Sequence, residues 1–87
     1  MKITRSFAFL RDYARLSTTM QKRTDKTARI MREDMHHPSL RAKKMEPKKL
    51  NIWGARVTKG YRMTFLMTKH EIILLGVGPH NRGLGKK

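Results

Sequence analysis

The sequence predicts an α+β fold in which an antiparallel sheet, made of one N-terminal strand and a three-strand C-terminal meander, packs against two N-terminal helices. Two observations carry this prediction. Apolar residues recur at helical spacing up to about residue 35, and from residue 52 they alternate with polar residues at the period of a strand. The 87 residues show no linker and no internal repeat, so one domain over residues 1–87 is expected.

The first third of the chain predicts a short strand and then a helix. Ile3 lies in the segment KITRSF, residues 2–7, which is expected to form the strand. In the following segment AFLRDYARLS, the residues at helical spacing are Phe9, Leu10, Tyr13, Ala14 and Leu16. Arg11, Asp12 and Arg15 would then face solvent.

A second helix is expected from about Met20, because Thr18 and Gln21 have the spacing of a capping box. Its apolar stripe is predicted to consist of Met20, Thr24, Thr27, Ala28, Met31 and Met35. Pro38 is expected to end the helix, since the residue before a proline avoids helical geometry. Residues 36–51 then read as a loop that carries Arg41, Lys43, Lys44, Lys48 and Lys49.

The C-terminal meander is predicted over residues 52–57, 61–67 and 71–78. Gly60 lies in the first turn and is available for a positive φ. Alternation predicts that one face is packed inward, and its members are Trp53, Ala55, Val57, Met63, Phe65 and Met67. The opposite face then carries Gly54, Arg56, Arg62 and Thr64.

The charge of the chain is its most informative composition feature. There are 21 Lys and Arg against 6 Asp and Glu, a formal charge of +15, and such an excess indicates a polyanionic partner. Nucleic acid is favoured, an acidic protein is a second choice, and a merely solvated basic surface or an anionic membrane surface remains open. The absence of cysteine excludes zinc fingers and disulfides, and no apolar run is long enough for a membrane span, so a soluble, intracellular protein is expected.

Arg56 and Arg62 are the candidate phosphate-binding residues, because the planar guanidinium stays charged and offers a fork of donors. His80 follows the last strand, with Arg82 close behind it, and a histidine near its ordinary pKa of ~6.5 can transfer protons at neutral pH. Ordinary solvent-facing arginines and an ordinary loop histidine would give the same pattern. His36 and His37 beside Asp34 do not form a convincing metal site, so no metal ligand is predicted.

The segments HPSLRAKKM, IWGARVTKGYRMTF and IILLGVGPHN resemble the RelE/ParE superfamily of bacterial toxins from toxin–antitoxin pairs. The resemblance spans nearly the whole chain and is strongest over residues 37–80. It implies a compact sheet with two N-terminal helices, an acidic antitoxin as partner, and a cytoplasmic site of action. Two activities occur in the superfamily: RelE-like members cut messenger RNA in the ribosomal A site, and ParE-like members poison DNA gyrase.

In the cutting members, the resemblance implies that Arg62 stabilises the scissile phosphate and that His80 assists proton transfer, with Arg56 beside them. The reaction is attack of the RNA 2′-hydroxyl on its neighbouring phosphate, and it requires no metal or other cofactor. The basic residues expected to bind RNA are Lys43, Lys44, Lys48, Lys49 and Arg82. The sequence departs from the family pattern at Gly54, where relatives carry glutamate, at Asn81, where they carry aspartate, and in a tail without tyrosine. A gyrase inhibitor and a non-cutting RNA-binding homologue therefore remain alternatives.

Overall fold

A computed structural model describes residues 2–79 and shows a five-stranded sheet with two helices packed on one face. In chain order the elements are β1 (Lys2–Arg5), α1 (Phe7–Ala14), α2 (Thr18–Glu33), β2 (Lys43–Lys44), β3 (Ile52–Thr58), β4 (Tyr61–Met67) and β5 (Glu71–Pro79). Single turns of 3-10 helix lie at Pro38–Leu40 and Lys48–Leu50. The strand order is β1-β5-β4-β3-β2. The α+β class and the two helices are confirmed.

The sheet differs from the prediction in one pairing and in one strand. β1 runs parallel to β5, with Ile3 opposite Ile72, whereas the other pairs are antiparallel. The chain makes this parallel pair possible because the helices and the meander lie between the two strands and return the chain in the same direction. β2 was expected as loop, and its two residues are too few to show any alternation.

Both helices have an N-cap serine that the sequence analysis did not identify. The Ser6 hydroxyl accepts from the Phe9 N–H, and the Ser17 hydroxyl accepts from the Met20 N–H at 3.2 Å. α2 therefore starts at Thr18, two residues before the predicted position. The capping box was wrong, because the Gln21 amide donates to the backbone carbonyl of Tyr13. Pro38 does not end α2 either, since the helix stops at Glu33 and Asp34 is already extended.

The core lies between the helices and the inner face of the sheet, and the predicted inward residues are in it. Its buried members are Phe9, Ala28, Met31, Leu40, Ala55, Met63, Phe65, Ile72, Leu74 and Val77. Trp53, Val57 and Met67 are partly buried against them. The central part of the predicted stripe of α2 is confirmed, because Thr24, Thr27, Ala28 and Met31 are buried. The hydroxyls of Thr24 and Thr27 donate to backbone carbonyls one turn earlier. Met35 lies beyond the end of the helix.

Three local predictions were wrong. Leu10 and Ala14 are exposed instead of packed, Leu10 to 44%, and Asp12 is half-buried against the sheet instead of facing solvent. Gly60 does not adopt a positive φ; among residues 2–79 other than glycine, Arg41 and Asn51 do, with φ of 46° and 57°.

Within residues 2–79, neither helix combines the length and the apolar character that crossing a bilayer would require.

Candidate functional site

Arg62 lies near the start of β4, on the outer face of the sheet away from the helices. It stands opposite Arg56 of β3 on one side and opposite Gly78 of β5 on the other. The alternation of β4 places Arg62 and Thr64 on the face opposite the buried Met63 and Phe65. Arg62 is half-buried, and strands on both sides hold its backbone. The prediction that Arg56, Arg62 and Thr64 share the outer face agrees with this register.

Two glycines lie next to Arg62 on the outer face of the sheet. Gly54 and Gly76 stand opposite Thr64 from the two neighbouring strands. The guanidinium extends across Gly54, because Arg62 Nη1 lies 4.0 Å from the position that a Cβ atom on Gly54 would take. With no side chain at these positions, other groups occupy the space: Met45 and the Arg62 guanidinium lie over Gly54, and the Asp12 carboxylate lies over Gly76.

The Gly54 position has room for a larger residue. A Cβ atom there would meet the Met45 Sδ at 3.5 Å, an ordinary van der Waals distance, and the backbone φ lies outside the left-handed region. The first side-chain carbon of the glutamate in the family pattern would therefore be tolerated at this position. A glutamate there would start from a Cβ atom 4.0 Å from Arg62 Nη1, so it would place an acidic group near the candidate phosphate clamp.

Another carboxylate approaches the outer face from the edge of β5. The Val77 N–H donates to Asp12 Oδ2 at 3.2 Å, next to an irregularity in the β4–β5 pairing. A Cβ atom on Gly76 would lie 2.9 Å from the same oxygen and 3.5 Å from the Thr64 hydroxyl. Gly76 is thus required by the close approach of Asp12. The sequence analysis did not identify Gly76 as a residue of the site, although a glycine inside an apolar strand often marks a bulge or a close contact.

The predicted RNA-binding lysines are divided between different surfaces. Lys43 is paired with Gly54 and therefore shares the outer face with Arg62, whereas Lys44 is paired with Trp53 and belongs to the inner face. Lys48 and Lys49 are exposed in the second 3-10 turn. The structure brings Lys43 to the candidate site and separates Lys44 from it.

Arg56 lies on the part of β3 that extends beyond its pairing with β2. β2 pairs only with Trp53 and Gly54, so the edge of β3 beyond Gly54 has no strand beside it within residues 2–79. There Arg56 lines a cleft of about 450 Å³ between β3 and α2. Arg56 therefore connects the outer face to the cleft beside α2.

His80, Asn81 and Arg82 lie outside the described residues, so their predicted roles stay predictions. The chain leaves β5 at Pro79, which is paired with Tyr61, one residue before Arg62. This pairing puts the end of β5 at the Arg62 end of the sheet.

The fold has clear counterparts among solved structures. The chain superposes on a YoeB/ParE toxin from Agrobacterium tumefaciens with a TM-score of 0.76 and 14% identity, over 92% of this chain and 99% of the other. The RelE–RelB complex from Pyrococcus horikoshii OT3 gives a TM-score of 0.75 at 15% identity, over 94% and 97% of the two chains. The E. coli DinJ–YafQ complex gives 0.76 at 12% identity, over 97% and 98%.

These comparisons define a class of fold. No family model and no curated protein sequence matches the chain, so the likeness is carried by the backbone. The chain has the fold of the YoeB, YafQ and RelE toxins, as the resemblance in its motifs implied. At 10 to 17% identity the roles of individual side chains do not follow from superposition.

Proposed function

We propose that this protein is a RelE/ParE-superfamily toxin of a toxin–antitoxin pair that acts in the cytoplasm and cuts messenger RNA on the ribosome. The observation that carries the proposal is Arg62 on a rigid, glycine-floored sheet face, with Arg56 directly opposite and Lys43 on the same face. Preorganised positive charge is what a reaction at a phosphate requires. The toxin fold and the motifs of residues 37–80 support the same conclusion.

In the proposed reaction, the 2′-hydroxyl oxygen attacks the adjacent phosphorus and the bond to the 5′ oxygen breaks. A base takes the 2′-hydroxyl proton, an acid gives a proton to the departing 5′ oxygen, and the products are a cyclic phosphate and a 5′-hydroxyl end. Arg62 stabilises the negative charge of the phosphorane, with Arg56 as a second positive charge. His80 transfers a proton.

The role of the lysines in this proposal is to hold the RNA backbone. Lys43 extends the positive charge of the outer face, and the exposed Lys48 and Lys49 lie a few residues further along the chain. Arg82 completes the proposed set, and Lys44, whose pairing with Trp53 places it on the inner face, is left out of it. Contacts of this kind bind without regard to sequence and weaken steeply with salt.

The proposed protein partner is an acidic antitoxin. Solved relatives of the same fold form complexes with RelB and DinJ. In this chain, α1 exposes Phe7 to 90% and Leu10 to 44%, one helical turn apart, next to the exposed Arg11. An amphipathic acidic segment would cover the two apolar side chains and pair with the surrounding cations. Co-purification of the natively expressed operon tests this partner, and a protein recovered alone without any growth defect on overexpression would refute it.

Mapping of RNA 5′ ends after brief expression in cells tests the nuclease proposal. Cuts at fixed codon positions in translated messages, absent with Arg62→Ala, are expected. Arrest of replication without cuts would replace the proposal with the gyrase-inhibiting alternative. RNA binding without either effect would leave a non-cutting homologue.

A further inference from the structure

The solvent face of α2 is a second basic surface, separate from the Arg62 face. Lys22, Lys26 and Arg29 follow one another at spacings of four and three residues, so they lie in one row along the helix. Arg23 and Arg32 lie on the two flanks of that row. All five side chains are exposed, whereas the opposite side of α2 carries the buried Thr24, Thr27, Ala28 and Met31.

A cleft runs along each flank of α2. On the β3 side, the cleft of about 450 Å³ is lined by Lys22, Arg23 and Lys26 together with Arg56. On the β1 side, a cleft of about 220 Å³ is lined by Arg5, Arg29 and Arg32 and by one acidic residue, Asp25, which leaves its lining with a net positive charge. The helix therefore forms a ridge between two grooves that are both positively charged.

Little within the described structure neutralises this charge. None of the five basic side chains of α2 makes a hydrogen bond or an ion pair with another residue of the 2–79 range. Asp25, an acidic residue of α2, accepts the Tyr13 hydroxyl at 2.9 and 3.0 Å. The ridge is thus left with unbalanced positive charge, which favours a polyanion.

The composition of the ridge distinguishes a nucleic acid from a protein. The large exposed hydrophobic residues of the described chain are Phe7, Leu10 and Leu50, and all of them lie outside α2. Protein interfaces have an apolar or aromatic centre, whereas nucleic-acid interfaces are polar and strongly positive. The α2 ridge is of the second kind.

The placement of the ridge determines what form of RNA would reach it. α2 packs on the inner face of the sheet and Arg62 lies on the outer face, so a single extended strand over Arg62 would have to turn around the edge of β3 at Arg56 to reach the ridge. A folded RNA that surrounds the protein reaches both surfaces without such a turn. The two basic clefts of the protein flank α2, and the two phosphate backbones of duplex RNA flank each groove of the RNA. Duplex RNA is recognised mainly through its shape and backbone, so a helix with a basic cleft on each side suits it.

We infer that the α2 ridge binds the phosphate backbone of double-stranded, folded RNA. This inference rests on the proposed function, because it adds a second RNA contact to a protein that acts within the folded RNA of the ribosome. It assigns to Lys22, Lys26 and Arg29 a binding role without any part in the chemistry at Arg62.

The test compares two double variants that lower the formal charge equally. Lys26→Gln with Arg29→Gln changes the ridge, and Lys59→Gln with Lys69→Gln changes exposed lysines of the two hairpin turns. Binding to a hairpin RNA of about 16 base pairs and to a single strand of the same length is measured as a function of salt. Each lost phosphate contact lowers the salt slope of binding by about 1. The salt slope for the hairpin RNA should therefore be smaller by about 2 for the ridge variant than for the wild-type protein. The Lys59→Gln, Lys69→Gln variant should keep the wild-type slope.

Equal slopes for the two variants on the hairpin would overturn the inference. It would also be overturned if the ridge variant lost binding to a polyglutamate peptide but kept its binding to the hairpin, because the ridge would then be a protein site. Lys22→Gln with Arg29→Gln is a second ridge variant, which can be used if the first does not fold. Wild-type protein that binds the hairpin through the ridge but cuts no ribosome-bound message would refute the proposed function alone.

Discussion

The two basic surfaces of this protein hold their charges in different ways. Arg62 emerges from a strand that is paired on both sides, is half-buried, and extends over Gly54. Lys22, Lys26 and Arg29 extend from the exposed side of a helix and have no partner among residues 2–79. A reaction at phosphorus requires charge at a defined position, whereas backbone binding requires only enough charge nearby. Changes on the sheet face should therefore alter cleavage, and changes on the ridge should alter binding.

Substitution of His80 should have the largest effect on cleavage. A group that transfers a proton contributes typically 10² to 10⁴-fold, so His80→Ala should slow single-turnover cleavage on programmed ribosomes by about that factor and leave ribosome binding nearly unchanged. His80→Gln keeps donors and acceptors but cannot titrate, and it should be equally slow. Wild-type cleavage by His80→Gln would reduce His80 to a positioning role.

Arg62 tests whether position matters beyond charge. Arg62→Ala should slow cleavage by about 10²-fold or more, because it removes a contact that strengthens in the transition state. Arg62→Lys keeps the charge but loses the planar fork, so it should recover only part of the rate. Thermal unfolding provides the control. If Arg62→Ala unfolds the protein, or cuts at the wild-type rate, the clamp assignment is wrong.

Gly54→Glu should raise the cleavage rate by about 10-fold. A Cβ atom is tolerated there beside Met45 and Arg62, and the carboxylate of the new side chain would supply a proton acceptor. The expected gain is smaller than the 10² to 10⁴-fold typical of such groups, because the carboxylate also pairs with Arg62. Gly54→Gln is the matched variant without charge and should not accelerate cleavage; equal rates for the two variants would exclude a gain through the carboxylate.

Gly76→Ala should lower the free energy of unfolding by about 1 kcal/mol or more. Its Cβ would lie 2.9 Å from Asp12 Oδ2 and displace the carboxylate from the Val77 N–H. Gly54→Ala, on the same face, meets only ordinary contacts and should be close to neutral. Urea titration of Gly76→Ala with and without Asp12→Ala checks the cause, since the two changes should be strongly non-additive. Additive effects would mean that the carboxylate is not what excludes a side chain at Gly76.

The parts of the fold that were predictable are those with a periodic apolar pattern. β4 has the predicted bounds, β3 and β5 are each one residue longer than predicted, and α2 buries Thr24, Ala28 and Met31 as its stripe indicated. Helix ends were less predictable, because Ser17 and Thr18 are chemically equivalent caps and only the backbone geometry selects Ser17. Leu10 was misplaced for a similar reason: helical spacing identifies a face, and the contacts of the sheet decide where that face ends.

The outer face of the candidate site was predicted from alternation alone, since side chains two apart on a strand share a face. Alternation says nothing about residues from other elements. Asp12 reaches the face from α1, 64 positions before Gly76 in the chain, and Lys43 reaches it through a two-residue strand. Both contacts depend on pairings that short-range pattern does not contain.

The sequence by itself determined the class of fold, the excess of positive charge, and the placement of Arg56 and Arg62 on one face of the sheet, because these follow from composition and from the period of a strand. Only the tertiary structure decided that Gly54 and Gly76 floor the site, that Asp12 holds the edge of β5, and that the basic face of α2 lies on the opposite side of the sheet. The physical reason is that these relations are distances between groups far apart in the chain. Packing of the helices on the sheet establishes them, and local residue preferences do not.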